Sequence, residues 1–356
     1  MAGKKRFGIL TGGGDCPGLN AAIRATTKSA LKMDYEVIGF HDGWEGLLFN
    51  RSEVLDSIKT SGIIDRGGTI LGASRTSPLK IENGPKRVLD AFREFDLRAI
   101  VVLGGEGTLS VANQMYEMGL PLIGIPKTID NDVCETDFTI GFQTAVQIAT
   151  DALDRLRSTA ASHHRVMILE VMGRHTGWIA TYAGLANGAD AILIPEITMD
   201  NKNIDELCQM LKSRKQRGIN FSIVVVAEGV ELAEESTHSP SLQMDKQEDP
   251  DRLGGVGRVL GGVGQVLGEL IERKTGLHVR VSSLDYIQRG GTPVAYDRNL
   301  ATAFGIKAVE LISENKFGEM TSLKGNRITS IPLKKVADRT RTVNMKVYKI
   351  AETFFG

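Results

Sequence analysis

The chain has 356 residues, 42% hydrophobic and 24% charged, and its 43 basic and 43 acidic side chains cancel. Domains run to roughly 100–200 residues, so two domains are expected rather than one core. Zero net charge excludes a global field toward nucleic acid or an anionic membrane, so an anionic ligand must be drawn by local cations.

In chain order, "RFGIL" (6–10) reads as a short buried strand, "LNAAIRATTKSALK" as a helix and "YEVIGF" (35–40) as a strand. "VLDAFREF" (88–95) has helical spacing, and "AIVVL" (99–103), "TLSVANQMYEM" and "PLIGI" continue as strand, helix and strand. The same grammar returns: helix "TAVQIATDALDRLRSTA", strand "RVMILEV" (165–171), helix "TGWIATYAGLA" and strand "AILIP" (191–195). Helix "IDELCQMLKSRKQ" and strand "FSIVVVAEG" (221–229) form a last pair. Short apolar strands without alternation, separated by helices, indicate buried parallel sheet. Two runs of such units imply two α/β domains with a crevice between them, and ligands at the carboxyl ends of the strands.

Residues 231–252 are polar and acidic and read as an exposed loop. Beyond them, 254–260 and 261–267 are near copies seven residues apart. Each glycine costs about 1 kcal/mol inside a helix, so the first copy is expected as loop and the second as the opening of a helix. The three cysteines, Cys16, Cys134 and Cys208, lack Cys-x-x-Cys spacing and fit a reducing compartment, with Cys16 a small filler in a glycine-rich loop. The start "MAGKKRFGILTGGG" has no signal-peptide core, and no stretch approaches the ~20 apolar residues of a membrane span. A cytoplasmic protein is expected, with no nucleic-acid or membrane partner.

Three turns follow strands, the first two of them glycine-rich. "TGGGDCPGLN" (11–20) can cradle phosphate on backbone N–H groups, although neither the G-x-x-x-x-G-K-[ST] nor the G-x-G-x-x-G pattern is met; an ordinary tight turn is the plain alternative. In "VVLGGEGTLS" (101–110), Gly104, Gly105 and Gly107 allow close backbone approach, and Glu106 beside a phosphate makes sense with Mg²⁺ between them. Thr108 there fits a helix cap as well as a ligand contact. The third turn, "PKTIDND" (126–132), joins Lys127 to Asp130 and Asp132. Such carboxylates serve as a general base, a metal ligand or a cap. Arg75, Arg165, Arg174, Arg280 and Arg289 lie near strand ends, where guanidinium forks grip phosphate. No paired His or Cys spacing indicates zinc.

Together, "GGDCPGLNAAIR", "GGTILGASR", "GGEGT", "PKTIDND", "TIGFQTA", "EVMGRHTGW", "EG" and "IQRGGTPVAYDR", in order over roughly residues 7–300, resemble the 6-phosphofructokinase family. The resemblance implies two three-layer α/β domains with mainly parallel central sheets. A phosphoryl-donor domain would take 1–140 plus about 288–335, and a fructose 6-phosphate domain 141–287 plus about 336–356. It implies phosphoryl transfer from ATP to the 1-hydroxyl of fructose 6-phosphate, with Mg²⁺ as cofactor. Thr128, Asp130, Asp132 and Arg174 match the catalytic set, with Asp130 the base. Gly14, Trp44, Arg75, Gly105, Glu106, Gly107 and Thr108 match the ATP side, with Glu106 at the metal. Thr128, Asp130, Arg165, Met172, Gly173, Arg174, Glu228, Arg280, Tyr286 and Arg289 match the sugar-phosphate side. Arg165 and Arg280 match arginines that reach the phosphate from a neighbouring subunit, which implies a homotetramer or homodimer with shared sites.

Tyr286 stands where bacterial members have His. Arg24 and Arg157 match the bacterial effector site, whereas Ser57 and residues 217–221 do not. Lys127 is the residue of pyrophosphate-using members, yet Gly107 replaces the Asp that they carry. Because a clash excludes a ligand while an extra cation only favours one, ATP is the expected donor and pyrophosphate the alternative. A catalytically silent sugar-phosphate-binding subunit would have lost Asp130 or Glu106, and both are present.

Overall fold

Apolar runs rich in Val, Ile and Leu pair through their backbones and lose solvent on both faces, which sets two sheets in the computed structural model. It describes residues 5–232, 253–254, 258–259 and 262–356. The chain divides into two units, Met1–Thr144 with Arg289–Arg341, and Ala145–Gln288 with Thr342–Gly356.

The first unit opens with β1 (Lys5–Thr11), α1 (Leu19–Lys32), β2 (Tyr35–Phe40), α2 (Trp44–Leu48) and β3 (Ser52–Leu55). It continues through α3 (Gly84–Glu94), β4 (Leu97–Gly104), α4 (Glu106–Glu117), β5 (Leu122–Thr128) and β6 (Ile140–Gly141). The second unit takes most of α5 (Phe142–His163), then β7 (Val166–Val171), α6 (Trp178–Asn187), β8 (Ala191–Leu193), α7 (Asn201–Gln216) and β9 (Ser222–Ala227). The two-residue β10 (Leu253–Gly254) and β11 (Arg258–Val259) follow, then α8 (Val263–Thr275) and β12 (Val279–Ser283). The chain returns to the first unit as α9 (Ala295–Ser313), β13 (Glu319–Lys324) and β14 (Arg327–Pro332), and closes in the second with α10 (Met345–Glu352).

The first sheet has the order β14-β13-β5-β4-β1-β2-β3, with β6 on the end of β5. Its strands run parallel except β14 and β3, which are antiparallel to their neighbours at the two edges. The second sheet, β12-β7-β9-β8, is wholly parallel. Ile9, Ile100, Val102 and Ile123 in the first, and Ile168, Leu169, Val224 and Val225 in the second, are fully buried. That is the α/β class with mainly parallel sheets expected from the sequence.

Several elements escaped the sequence reading. α9 buries Leu300, Ala301, Phe304, Ala308, Leu311 and Ile312 on one face, but the apolar Ile306 is exposed on the opposite side, which blurs the stripe in the sequence. It packs closely on α1: a Cβ added at Gly305 would lie 2.9 Å from the Ala22 carbonyl oxygen. β13 and β14 form a hairpin around Gly325. The second glycine copy opens α8 as expected, with Gly262 at its N-cap. In the first copy, Gly254 pairs with Arg258 in a short antiparallel ladder rather than forming plain loop; residues 255–257, 260–261 and 233–252 lie outside the described residues.

Candidate active site

β5, β4 and β1 are adjacent and parallel, so their carboxyl ends deliver all three turns to one edge of the first sheet. Gly12 donates its N–H to the Leu103 carbonyl at 2.9 Å, and Gly13 donates to the Ser74 carbonyl at 2.8 Å. The second bond brings the Arg75 segment alongside the first turn.

Close approach explains the glycines here better than backbone freedom does. A Cβ at Gly12 would meet Thr108 Cγ2 at 2.7 Å, and one at Gly104 would meet Thr108 Cβ at 2.4 Å. Thr108 is therefore the side chain that locks the first two turns together. It does not cap α4, whose N-cap, Gly105, makes no side-chain capping bond. Gly107 faces outward, and a Cβ there would meet nothing within 4 Å.

Lys127 is 2% exposed, and its Nζ donates to the Gly14 carbonyl at 2.7 Å. Arg289 reaches the same turn: it donates to the Asp15 carbonyl at 3.4 Å, and a Cβ at Gly14 would lie 2.7 Å from its Nη1. Two cations thus hold the carbonyl side of the turn. Arg289 lies in the first unit, as do Thr128 and Asp130, likewise expected at the sugar phosphate. Cys16 is the filler expected, fully buried, its thiol donating to Ile140 O at 3.3 Å and pushed up to about 12 by burial.

In the third turn, Asp130 N donates to Thr128 Oγ1 at 3.2 Å. Asn131 takes a left-handed conformation (φ 52) that Asn tolerates. Its Oδ1 accepts from Thr139 N at 3.1 Å and its Nδ2 donates to Asp137 O at 3.4 Å, closing the loop behind the two acids. Burial, then the neighbouring Asp130, pushes the Asp132 carboxyl up to about 7. Its Oδ1 is buried with no hydrogen-bond partner among the described residues. Burial and Asp338 likewise raise Glu106.

Trp44 is 2% exposed and packs in the core with Leu10, Phe40 and Leu47. Apolar spacing in a five-residue helix turned it inward, so its ring gives a nucleotide almost no face. Arg75 is exposed.

In the second unit, Met172, Gly173 and Arg174 follow β7, and Glu228 follows β9 beside it. Gly173 has φ 149, and a Cβ there would lie 2.6 Å from the Thr176 carbonyl oxygen, so only glycine fits. Its N–H faces Glu228 Oε1 at 3.4 Å. Met172 N donates to the buried Gln288 Oε1 at 2.7 Å, tying this loop to the turn that carries Tyr286, which is 47% exposed. Arg165 immediately precedes β7, and Arg280 pairs with Met167 on β12. At ~3.3 Å per strand residue, both lie roughly 20 Å from Met172–Arg174, at the amino ends of the strands. Within this unit the two arginines therefore do not join Arg174 and Glu228. Arg157, matched to an effector site, donates to Asn187 Oδ1 at 3.0 Å and Gly188 O at 3.1 Å.

Sequence reasoning missed Asn131, Gln288, Asp338 and Arg341. The first is hidden between two more suggestive acids, Gln288 lies inside "IQRGGTPVAYDR" with no spacing that marks it, and Asp338 and Arg341 lie outside every motif; tertiary structure brings them to their partners.

The family model described as phosphofructokinase matches residues 6–312. The ATP-dependent 6-phosphofructokinase of Chloroflexus aurantiacus is 48% identical over 343 residues, 94% of this chain and 91% of that protein. The pyrophosphate–fructose 6-phosphate 1-phosphotransferase of Streptomyces coelicolor is 46% identical, covering 99% of this chain and all of that one. Among solved structures, Pichia pastoris phosphofructokinase in the T-state superposes with a TM-score of 0.80 at 30% identity, covering 99% of this chain and 37% of that longer one. The chain belongs to the phosphofructokinase family of enzymes.

Proposed function

We propose that the enzyme transfers the terminal phosphoryl group of ATP to the 1-hydroxyl of fructose 6-phosphate, the glycolytic reaction, giving fructose 1,6-bisphosphate and ADP. The observation that carries this reading is the convergence of three turns at the ends of β1, β4 and β5, with a carboxylate pair beside two glycine-rich turns. Asp130 accepts the hydroxyl proton as the new O–P bond forms and the bond to ADP breaks. Thr128 holds the Asp130 turn. Backbone groups of Gly14 and of 105–108, with Arg75, receive the donor phosphates. Met172, Gly173, Arg174, Glu228 and Tyr286 receive the sugar phosphate. Such transfer asks for positioning and charge neutralisation more than for covalent chemistry.

Glu106 and Asp132 fit a divalent cation. Both carboxyls are raised by burial and acidic neighbours, and Asp132 Oδ1 has no partner among the described residues. Mg²⁺ is commonly held by one or two carboxylates plus substrate phosphates, a role these two acids can fill. When bound, the ion would neutralise charge on those phosphates.

ATP is favoured as donor because the space at Gly107 is open and the Lys127 ammonium is engaged by the Gly14 carbonyl. The pyrophosphate reading rests on Lys127 itself and on the Streptomyces coelicolor relative. Arg165 and Arg280, distant from Arg174 within their own unit, support completion of each sugar-phosphate site by a neighbouring copy in a homodimer or homotetramer. No described helix is long and apolar enough to cross a membrane, and the cytoplasm is the compartment this reaction calls for.

The test is an assay of purified protein with fructose 6-phosphate and Mg²⁺, comparing ATP with pyrophosphate. Faster turnover with pyrophosphate would overturn the donor assignment. Sugar-phosphate binding without turnover on either donor would reduce the chain to a silent subunit.

A further inference from the structure

The third turn is held from a part of the chain that carries no motif. Arg341 lies 209 residues after Asp132, yet its N–H donates to the Asp132 carbonyl at 2.7 Å. Its Nη1 donates to Asp137 O at 2.8 Å and more distantly to Asn131 O at 3.5 Å. Beside it, Thr340 and Val133 form an antiparallel bridge. The segment thus pairs with the backbone of the acid turn while the guanidinium spans the loop from residue 131 to residue 137.

These bonds act on backbone carbonyls. The Asp132 carbonyl is fixed, whereas Asp132 Oδ1 has no partner among the described residues. Without the guanidinium, Asp137 O would keep, among the described residues, the long contact from Asn131 Nδ2 at 3.4 Å. The left-handed Asn131 lies between Asp130 and Asp132, so any relaxation there turns both acids. A reacting group displaced by about 1 Å costs on the order of 10²-fold in rate.

We infer that Arg341 is a positioning residue for phosphoryl transfer: its guanidinium staples loop 131–137 and so fixes where Asp130 and Asp132 point. This rests on the catalytic reading of those acids given above.

The test pairs steady-state kinetics with amide hydrogen exchange on Arg341→Ala, Arg341→Lys and the exposed neighbour Arg339→Ala. Arg341→Ala is expected to lower kcat roughly 10–100-fold while KM for both substrates stays within about threefold. Arg341→Lys, which keeps a cation and one reach of donor, is expected between it and wild type, and Arg339→Ala at wild type. In the ligand-free protein, exchange at 130–139 is expected to quicken about tenfold or more in Arg341→Ala, with β1 unchanged. A kcat within twofold of wild type, or unaltered exchange at 130–139, overturns the inference; if Arg341→Ala does not fold, Arg341→Lys is judged by the same two measurements. Exchange is read without substrate and so does not depend on the reaction assigned. Full turnover in Asp130→Asn would instead remove the catalytic reading, and this role with it, even where exchange responds.

Discussion

Lys127 Nζ donates to the backbone carbonyl of Gly14 across 2.7 Å, from a side chain only 2% exposed. The lysine of the "PKTIDND" stretch therefore reaches back to hold the first glycine turn. Burial, with Arg289 adding to it, pulls the ammonium down to about 8, while Asp15 and Asp132 pull the other way. Between that value and the ordinary 10.5 the native state binds fewer protons than the unfolded chain, so stability rises with pH across this window. The gain is about 3 kcal/mol at most. Lys127→Met lacks the group and should lack the gain. Urea unfolding of the ligand-free proteins from pH 7.5 to 10.5 would show it: parallel curves for the two proteins would mean that the ammonium is not held as described.

Gly107 separates donor choice from folding. Its added Cβ meets nothing within 4 Å, and the residue is exposed. Gly107→Asp should therefore unfold at the wild-type midpoint while placing a carboxylate where the proposed donor site takes the nucleotide's inner phosphate. The expected outcome is a loss of kcat/KM for ATP of about 10² or more, the scale of a transition-state charge contact, with any pyrophosphate activity spared. Robust ATP turnover in this variant would refute the donor argument.

Much of this was legible in the sequence. Turns directly after apolar strands must fall at carboxyl ends, and parallel strands put those ends on one edge, so the side on which 12–14, 104–108 and 126–132 lie follows from pattern, while their meeting depends on the strand order β5-β4-β1. The sequence could not show which glycines face ligand and which face Thr108, because that depends on side-chain packing across two strands. Nor could it show that Trp44 turns into the core, since an aromatic beside a glycine turn reads equally as wall or as filler. Arg341 and Gln288 were illegible for a different reason. They act through backbone groups more than a hundred residues away, and such contacts leave no local spacing. Arg165 already opens the strand read at 165–171, and the register of β12 on β7 adds that Arg280 stands at the same amino end, away from Arg174.

Asp132 should destabilise the ligand-free fold. Its carboxyl, ordinarily at 3.8, is pushed up to about 7 by burial and by Asp130. Between these values the native state binds more protons than the unfolded chain, so stability falls as pH rises through the window, and the full cost is present above pH 7. Asp132→Asn removes the charge. At pH 8 the variant should be more stable than wild type by on the order of 1–3 kcal/mol, and the difference should vanish near pH 4. Chemical denaturation at the two pH values checks this, and equal stabilities at pH 8 would mean that the acid is solvated. Greater stability with lost activity would mark Asp132 as held for function rather than for folding.

Asp130 carries the chemistry in the proposed reaction, and its substitution separates chemistry from binding. Thr128 holds its backbone N–H, and the loop behind it closes through Asn131, Thr139 and Arg341, so Asp130→Asn keeps the shape of the turn. Sugar-phosphate contacts are assigned to Arg174, Glu228 and their neighbours on other strands, so KM for fructose 6-phosphate should stay within a few-fold of wild type. An amide cannot accept the hydroxyl proton, and general-base catalysis contributes about 10²–10⁴ in rate. Turnover should fall by that factor with KM nearly flat, the pattern of an interaction made in the transition state. A fall in affinity with kcat preserved would instead make Asp130 a binding residue, and the proton would have to leave by another group.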